Sequence, residues 1–365
     1  MIRRRDMLCT GAAALAVAPI QARASGSGAR MAPHPQADTA GWRDFEITTS
    51  VSLQDAPGAA QLWLPLAQTA GGYQVSRSVR WQGNGTAAIT RDDHYGAGIL
   101  RIDWTADAAT APKTIQLVQV VATRDRGAAG PMVAASEVER RFWTQPTDSL
   151  PTDGIVRATA ERIVAGRTDP KDRLRALYDW VVDQTSRDPK TPGCGTGNIR
   201  SMLTSGHLGG KCADINSLMT GLARSVGFPA RDVYGIRVAA STRFPQLGAN
   251  GTVSKAQHCR SEVYLEDAGW FPVDPADVRK LMLERHLRLD DPEIVAARER
   301  LFGNWEMNWV GFNSATDIVL PGAPAGHTPN FPFLMYPCAL TSAGQPDCLD
   351  ADRFRYEITS RDVTA

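Results

Sequence analysis

Gly209-Gly210-Lys211 runs directly into Cys212, and from there apolar residues recur at helical spacing: Ile215, Leu218, Met219, Leu222 and Val226. The pattern predicts a helix packed on a core, with a thiol in its first turn. Unpaired backbone N–H groups and the helix dipole favour negative charge there, so the position lowers a thiol pKa and makes thiolate. Two strand-like runs follow. The first is His258-Cys259-Arg260-Ser261-Glu262-Val263-Tyr264, and the second is Gly269-Trp270-Phe271-Pro272-Val273-Asp274-Pro275. Joined by the turn Glu266-Asp267-Ala268-Gly269 as antiparallel neighbours, they set His258 and Asp274 side by side at the lip reached by the Cys212 helix. His–Asp contact fixes the imidazole tautomer, and His–Cys contact makes a thiolate–imidazolium pair. Nucleophile, base and orienting carboxylate in the order Cys212, His258, Asp274 are the parts of an acyl-transfer triad. Each alone has a plainer reading: a small buried hydrophobe, a structural histidine, a turn-forming aspartate. Their combination is far more specific.

The GGKC helix start, Gly-Phe-Pro-Ala-Arg at 227–231, the H-x-x-x-E-V-Y strand and the GW-x-x-VDP strand fall in this order within about sixty residues. The run resembles the transglutaminase-like superfamily of cysteine enzymes. The resemblance implies an α+β, papain-like core of helices and antiparallel sheet. It also implies that Cys212 is the nucleophile, His258 the general base and acid, and Asp274 the residue that orients the imidazole. Papain itself is a poorer match, because its histidine lies much further from the cysteine and its orienting residue is Asn. One departure stands out: many relatives carry tryptophan two residues after the histidine, where this chain has Arg260. For the oxyanion, the N–H of Cys212 is a natural donor. Asn198 is the candidate for the second, against its reading as a turn residue near Gly195 and Gly197. Trp305 and Trp309, four apart, read either as a cleft wall or as one helical stripe of core.

Upstream, the pattern is that of strands. Phe45, Ile47, Thr49 and Val51 alternate, Leu62-Trp63-Leu64 ends at Pro65, Leu100, Ile102 and Trp104 alternate, and 115–121 forms another run. Gly83-Asn84-Gly85 punctuates them. This predicts a small all-β, sandwich-like domain over 41–130, followed by an α+β catalytic domain over 131–365. His94 is either a solvated hairpin tip or a ligand. In the second part, helices are expected near 153–165 and from Pro170 through Val182, and strands near 232–238, 260–265 and 270–274. A charged helical stretch is expected from about 275 to 301, and a last strand near 354–358.

Residues 1–24 read as an export signal. Arg3-Arg4-Arg5 gives a basic start, an apolar stretch from about Leu8 to Ile20 is too short to span a bilayer, and Ala22-Arg23-Ala24 suits cleavage near Ala24. The paired arginines before Asp6-Met7-Leu8 resemble a twin-arginine signal; an ordinary secretory signal gives the same compartment. Residues 25–40 read as a disordered spacer. The expected location is periplasmic or secreted, in a bacterium.

Five of the six cysteines then remain, and in an oxidising compartment an odd number leaves one thiol over. With Cys212 as nucleophile, the others form Cys338–Cys348 and Cys194–Cys259, or the second pair stays free. A metal site from Cys212, His258 and Cys259 is disfavoured because adjacent strand residues point to opposite faces. No metal and no cofactor are expected. A net charge of +1 gives no broad attraction to nucleic acid, and no Gly-rich phosphate loop occurs. No membrane span is expected in the mature chain. The expected activity is cleavage of peptide-type amide bonds through an acyl-thioenzyme on Cys212, with a peptide or protein substrate, cell-wall peptide included. Two other readings stay open: a protein-crosslinking transglutaminase, in which an amine takes the acyl group, and an inactive binding or scaffold module.

Overall fold

The computed structural model describes residues 41–54, 56–106, 112–127, 134–327 and 329–364. The export signal and spacer expected over 1–40 lie outside the described residues.

The strands begin as the alternation requires. β1 (Trp42–Leu53) buries Phe45, Ile47, Thr49, Val51 and Leu53 on one face. It is followed by β2 (Ala60–Pro65), β3 (Gln74–Gly83), β4 (Thr86–Arg91), β5 (Gly98–Trp104) and β6 (Lys113–Arg124). Then come the helices α1 (Glu137–Phe142), α2 (Gly154–Val164), α3 (Pro170–Gln184), α4 (Ile199–Ser205) and α5 (Cys212–Ser225). α3 starts where Asp169 caps the N–H of Asp172 and Pro170 takes the first turn. The remaining elements are β7 (Ala230–Arg237), β8 (Gln257–Leu265), β9 (Gly269–Val273), α6 (Pro275–Arg285), α7 (Pro292–Arg300), β10 (Trp309–Asn313), β11 (Cys338–Thr341) and β12 (Tyr356–Asp362).

The fold is α+β. One antiparallel sheet, in the order β9-β8-β7-β10, carries α5 on its face. Every residue of α5, β8 and β9 is buried, so this sheet is covered on both sides. The expected charged helix 275–301 is two helices. His286 adopts φ 53° and ends α6, a left-handed turn with no glycine to announce it, and Pro292 opens α7.

The upstream strands do form two antiparallel sheets, but not from residues 41–130 alone. The first has the order β12-β1-β6-β3, with Gly251–Thr252 beyond β12, and the second has the order β11-β2-β5-β4. The C-terminal strands β11 and β12 thus enter both. One contiguous apolar cluster also runs from Phe45, Leu62 and Leu117 to Leu174, Leu218 and Val263. The expected separate all-β sandwich is therefore corrected: long-range strand pairing and a shared core join these sheets to the helical part. His94 sits exposed at a turn that buried Asp92 closes by accepting the N–H groups of His94, Tyr95 and Ala97. Among the described residues, no helix is long and apolar enough to cross a membrane.

Candidate active site

Cys212 is the first residue of α5. Two residues on, Asp214 Oδ2 accepts the N–H of Lys211 at 3.0 Å, and Oδ1 accepts those of Thr196 and Gly197, both at 3.0 Å. One carboxylate therefore clamps the two loops that flank the thiol. Gly195, at φ +84°, makes room for it: a Cβ there would lie 1.8 Å from Asp214 Oδ2. The loop is also tied to the helix by the N–H of Ala213, which donates to Cys194 O at 2.8 Å.

One helical turn after Cys212, Asn216 faces the same way. Its Nδ2 donates to Cys259 O at 2.8 Å and to Asp274 Oδ1 at 3.2 Å, so it joins the thiol helix to the histidine strand and to the carboxylate. Asp274 is not a strand residue, as its run suggested. It follows β9 and caps α6, with Oδ1 accepting the N–H of Asp277 at 3.1 Å. The capping bond leaves Oδ2 free to face His258 Nε2 at 2.7 Å. His258 sits opposite Gly235 of β7, and its imidazole is near enough to Cys212 to help lower the thiol pKa.

A second carboxylate backs this pair. Asp277 Oδ2 lies 3.4 Å from His258 Nε2, and Asp277 Oδ1 accepts from Arg237 Nη2 at 2.5 Å in a fully buried ion pair. Burial opposes charge on Cys212, but hydrogen bonds from Cys194, Cys259 and His258, with the imidazolium charge, outweigh it and hold the thiol well below its usual range. Burial and Arg237 push His258 down, while Asp277 and Asp274 prevail and raise it. Burial, and then Asp277, raise the Asp274 carboxyl. Asp277 is also opposed by burial, yet Arg237 and His258 hold it low. The shifts of Cys212 and His258 both run toward a thiolate facing an imidazolium, with the carboxylates of Asp274 and Asp277 beside the ring.

The Sγ atoms of Cys194, Cys212 and Cys259 all lie within 4.8 Å of one another. Cys194 Sγ accepts from Tyr336 Oη at 3.2 Å and lies 3.4 Å from Gln257 O, an alternative acceptor for its one thiol proton. All five described cysteines are free thiols, which corrects both expected disulfides. Three thiols meeting at one point offer no unique pair. Cys338 and Cys348 are each engaged by a side-chain amide instead, Gln345 and Asn330, at 3.8 Å. Asn198 is exposed, and its side-chain oxygen accepts the N–H of Ser201 at 3.0 Å to cap α4, the turn role that its surroundings suggested.

Arg260, where relatives carry tryptophan, is buried with its guanidinium 4.7 Å from the Trp309 ring and 5.5 Å from that of Trp305. The two tryptophans lie on strands and not on one helical stripe. The Trp309 indole N–H donates to His258 O at 3.0 Å. Arg260 is thus packed between the Trp309 ring of β10 and Asp274, 3.6 Å away. Cys212 and His258 are each 2 % exposed and Asp274 0 %, so substrate entry requires displacement of covering residues. Asn216, Asp277 and Arg237 were not picked out from sequence. Asn216 carried a signal, four residues after the thiol on a helix, whereas Asp277 and Arg237 meet only through tertiary packing.

The family model of the Transglutaminase-like superfamily matches residues 157–275, a span that includes Cys212, His258 and Asp274. An uncharacterised protein of Haemophilus influenzae is 35% identical over 344 residues, 87% of this chain and 91% of that one. A crystal structure of a candidate cysteine protease from Cytophaga hutchinsonii superposes with a TM-score of 0.53 at 12% identity, covering 89% of this chain and 92% of that one, a likeness of fold. The periplasmic domain of TgpA from Pseudomonas aeruginosa gives a TM-score of 0.36 at 16% identity, over 76% of this chain and 100% of that one. On the family match, the chain contains a transglutaminase-like superfamily domain over residues 157–275.

Proposed function

We propose that this protein is an exported cysteine hydrolase or acyltransferase that acts on peptide-type amide bonds through an acyl-thioenzyme on Cys212. One observation carries the reading: the helix that starts at a buried Cys212 is tied through Asn216 to the His258 strand and to Asp274, whose carboxylate is held 2.7 Å from the His258 imidazole. Cys212 thiolate attacks the carbonyl carbon, and the backbone N–H of Cys212 faces the developing oxyanion. His258 imidazolium gives its proton to the leaving amine. The neutral imidazole then takes a proton from water, or from an acceptor amine, as that group attacks the thioester and releases Cys212. Asp274 keeps the ring aligned and balances its positive charge. Export rests on the paired arginines and short apolar run at the N-terminus.

The test is labelling of the reduced protein with a chloroacetamide probe across pH, with peptide mapping. Selective labelling of Cys212 that persists into acid supports the nucleophile; equal, base-dependent labelling of every thiol removes it. A peptide ester substrate quenched in acid should leave an acyl adduct on Cys212 by intact mass. Adding a primary amine then separates hydrolysis from transamidation by product mass. A scaffold has no use for an acid-shifted thiol, and its adduct experiment is blank.

A further inference from the structure

The catalytic assignment uses one thiol of a cluster of three. Cys194 comes from the loop before α4, Cys212 from the first turn of α5 and Cys259 from the middle of β8. All three are buried, and their sulfurs lie within 4.8 Å of one another. Their placement does not depend on the sulfurs themselves. Ala213 N–H holds the carbonyl of Cys194, Asn216 holds that of Cys259, and Cys259 is fixed opposite Tyr234 by the β7–β8 ladder. Three convergent sulfurs prearranged by backbone contacts form a donor set of one chemical kind, soft and anionic when deprotonated.

We propose that Cys194, Cys212 and Cys259 form a binding site for a soft monovalent cation, copper(I), in three-coordinate sulfur geometry. A metal–sulfur distance near 2.3 Å places the sulfurs of a trigonal site about 4 Å apart, a spacing compatible with a trio whose sulfurs all lie within 4.8 Å of one another. Zinc fits less well, because it takes four ligands, and among the described residues no fourth Cys, His, Asp or Glu joins this group. The cation adds to the Cys212 thiolate and displaces the thiol protons of Cys194 and Cys259, which leave to solvent. The excess negative charge faces His258 and Arg237, the cations whose fields reach Cys212. No oxidation state changes. A bare cation also needs far less opening than a peptide to reach these covered sulfurs. With the cation bound, the Cys212 lone pair is committed and the thiol cannot attack a carbonyl. This last consequence rests on the nucleophile assignment above; the binding site does not.

The experiment is an anaerobic titration of the fully reduced protein with copper(I) against a chromogenic chelator, with X-ray absorption at the copper edge. The expected result is one equivalent withheld from the chelator and a first shell of three sulfurs. Cys194→Ser and Cys259→Ser should each weaken binding roughly a hundredfold or more. A Cys338→Ser/Cys348→Ser variant, altered away from the trio, should bind as the parent does. A first shell of two or fewer sulfurs, full affinity in Cys194→Ser and Cys259→Ser, or loss of the site in Cys338→Ser/Cys348→Ser overturns the proposal. The shell of the parent protein decides the matter even where a serine variant does not fold. Acid-persistent alkylation of Cys212 in a protein that binds no copper(I) sinks the metal site and keeps the enzyme. Copper(I) binding without acid-persistent alkylation does the reverse.

Discussion

Gly195→Ala is the substitution for which the structure gives the firmest arithmetic. Gly195 has φ +84°, and an L side chain there costs about 1–2 kcal/mol from its own backbone. The added Cβ would also lie 1.8 Å from Asp214 Oδ2, 2.3 Å from its Cγ and 2.5 Å from Oδ1, so the carboxylate must move. It accepts three backbone N–H groups, each at 3.0 Å, and losing even one such charge-assisted bond costs about 1.5–3 kcal/mol. The total is roughly 2.5–5 kcal/mol, a large part of a typical folding stability of about 5–15 kcal/mol. Gly166→Ala is the matched control. It has φ +75° and nothing within 4 Å of the new Cβ, so it should lose only the backbone share, about 1–2 kcal/mol. Urea unfolding measures both, and chloroacetamide labelling of Cys212 in Gly195→Ala should slow because the clamped loops flank that thiol. In an Asp214→Ala background, the cost of Gly195→Ala should fall to that of Gly166→Ala. Equal losses for the two single variants, or a Gly195→Ala cost unchanged by removing Asp214, would refute the clamp.

Three further outcomes follow from the site. In His258→Gln, the acid limb of Cys212 alkylation should move to higher pH, because the imidazolium that favours the thiolate against burial is gone; an unmoved limb measured by mass spectrometry refutes the pairing. His258→Ala and Asp274→Asn should each remove most turnover, and the double variant little more, with multiplicative losses showing that Asp274 acts only as a helix cap. Burial works against the Glu262 carboxylate, but Arg126 and Arg231 hold its pKa below the usual range. Its stabilisation is therefore present above the unfolded pKa, near 4.3, and lost as pH falls through the folded value. Glu262→Gln should cost about 3–5 kcal/mol at pH 7 and flatten the acid limb of stability, as read by urea midpoints from pH 7 down to 3.

Local pattern carried the thiol helix, the histidine strand and the alternating strands, because each depends on residues within one element. The spacing from Cys212 to Val226 matches α5, and the alternation from Phe45 to Val51 matches β1. Features set by packing between distant segments were not legible. Asp277 meets Arg237 across 40 residues, and nothing local marks either as paired. Cys194 reaches Cys212 and Cys259 only when a loop, a helix start and a strand converge, so counting cysteines in pairs gave bridges where the fold makes a trio. Trp305 and Trp309 show the limit of periodicity. A spacing of four suits a helix face, but it also suits two short strands when the residues between them turn.

The C-terminal strand shows how far the upstream sheets depend on the rest of the chain. β12 pairs with β1 through Thr49 opposite Ile358 and Ile47 opposite Ser360. On its other side, Ile358 O accepts the N–H of Val253 at 2.7 Å, and Ser360 Oγ donates to Val238 O at 2.8 Å, just past the end of β7. One strand thus ties the first sheet to the segment that leaves the histidine-bearing sheet. Until residues 356–362 are in place, β1 presents an open edge and Gly251–Thr252 lacks its partner strand. Ile358→Ala, at a buried position, should cost about 2–5 kcal/mol. Deleting 351–365 also removes buried Phe354 and Tyr356, so it should leave β1 exposed and drive the protein into aggregates rather than produce a trimmed but active enzyme. Size-exclusion chromatography with Cys212 alkylation separates these cases. A monomeric truncation that unfolds cooperatively and labels Cys212 at the parent rate would show that the upstream sheets and the triad do not need this strand. In that case the shared core would be a contact between independently stable units.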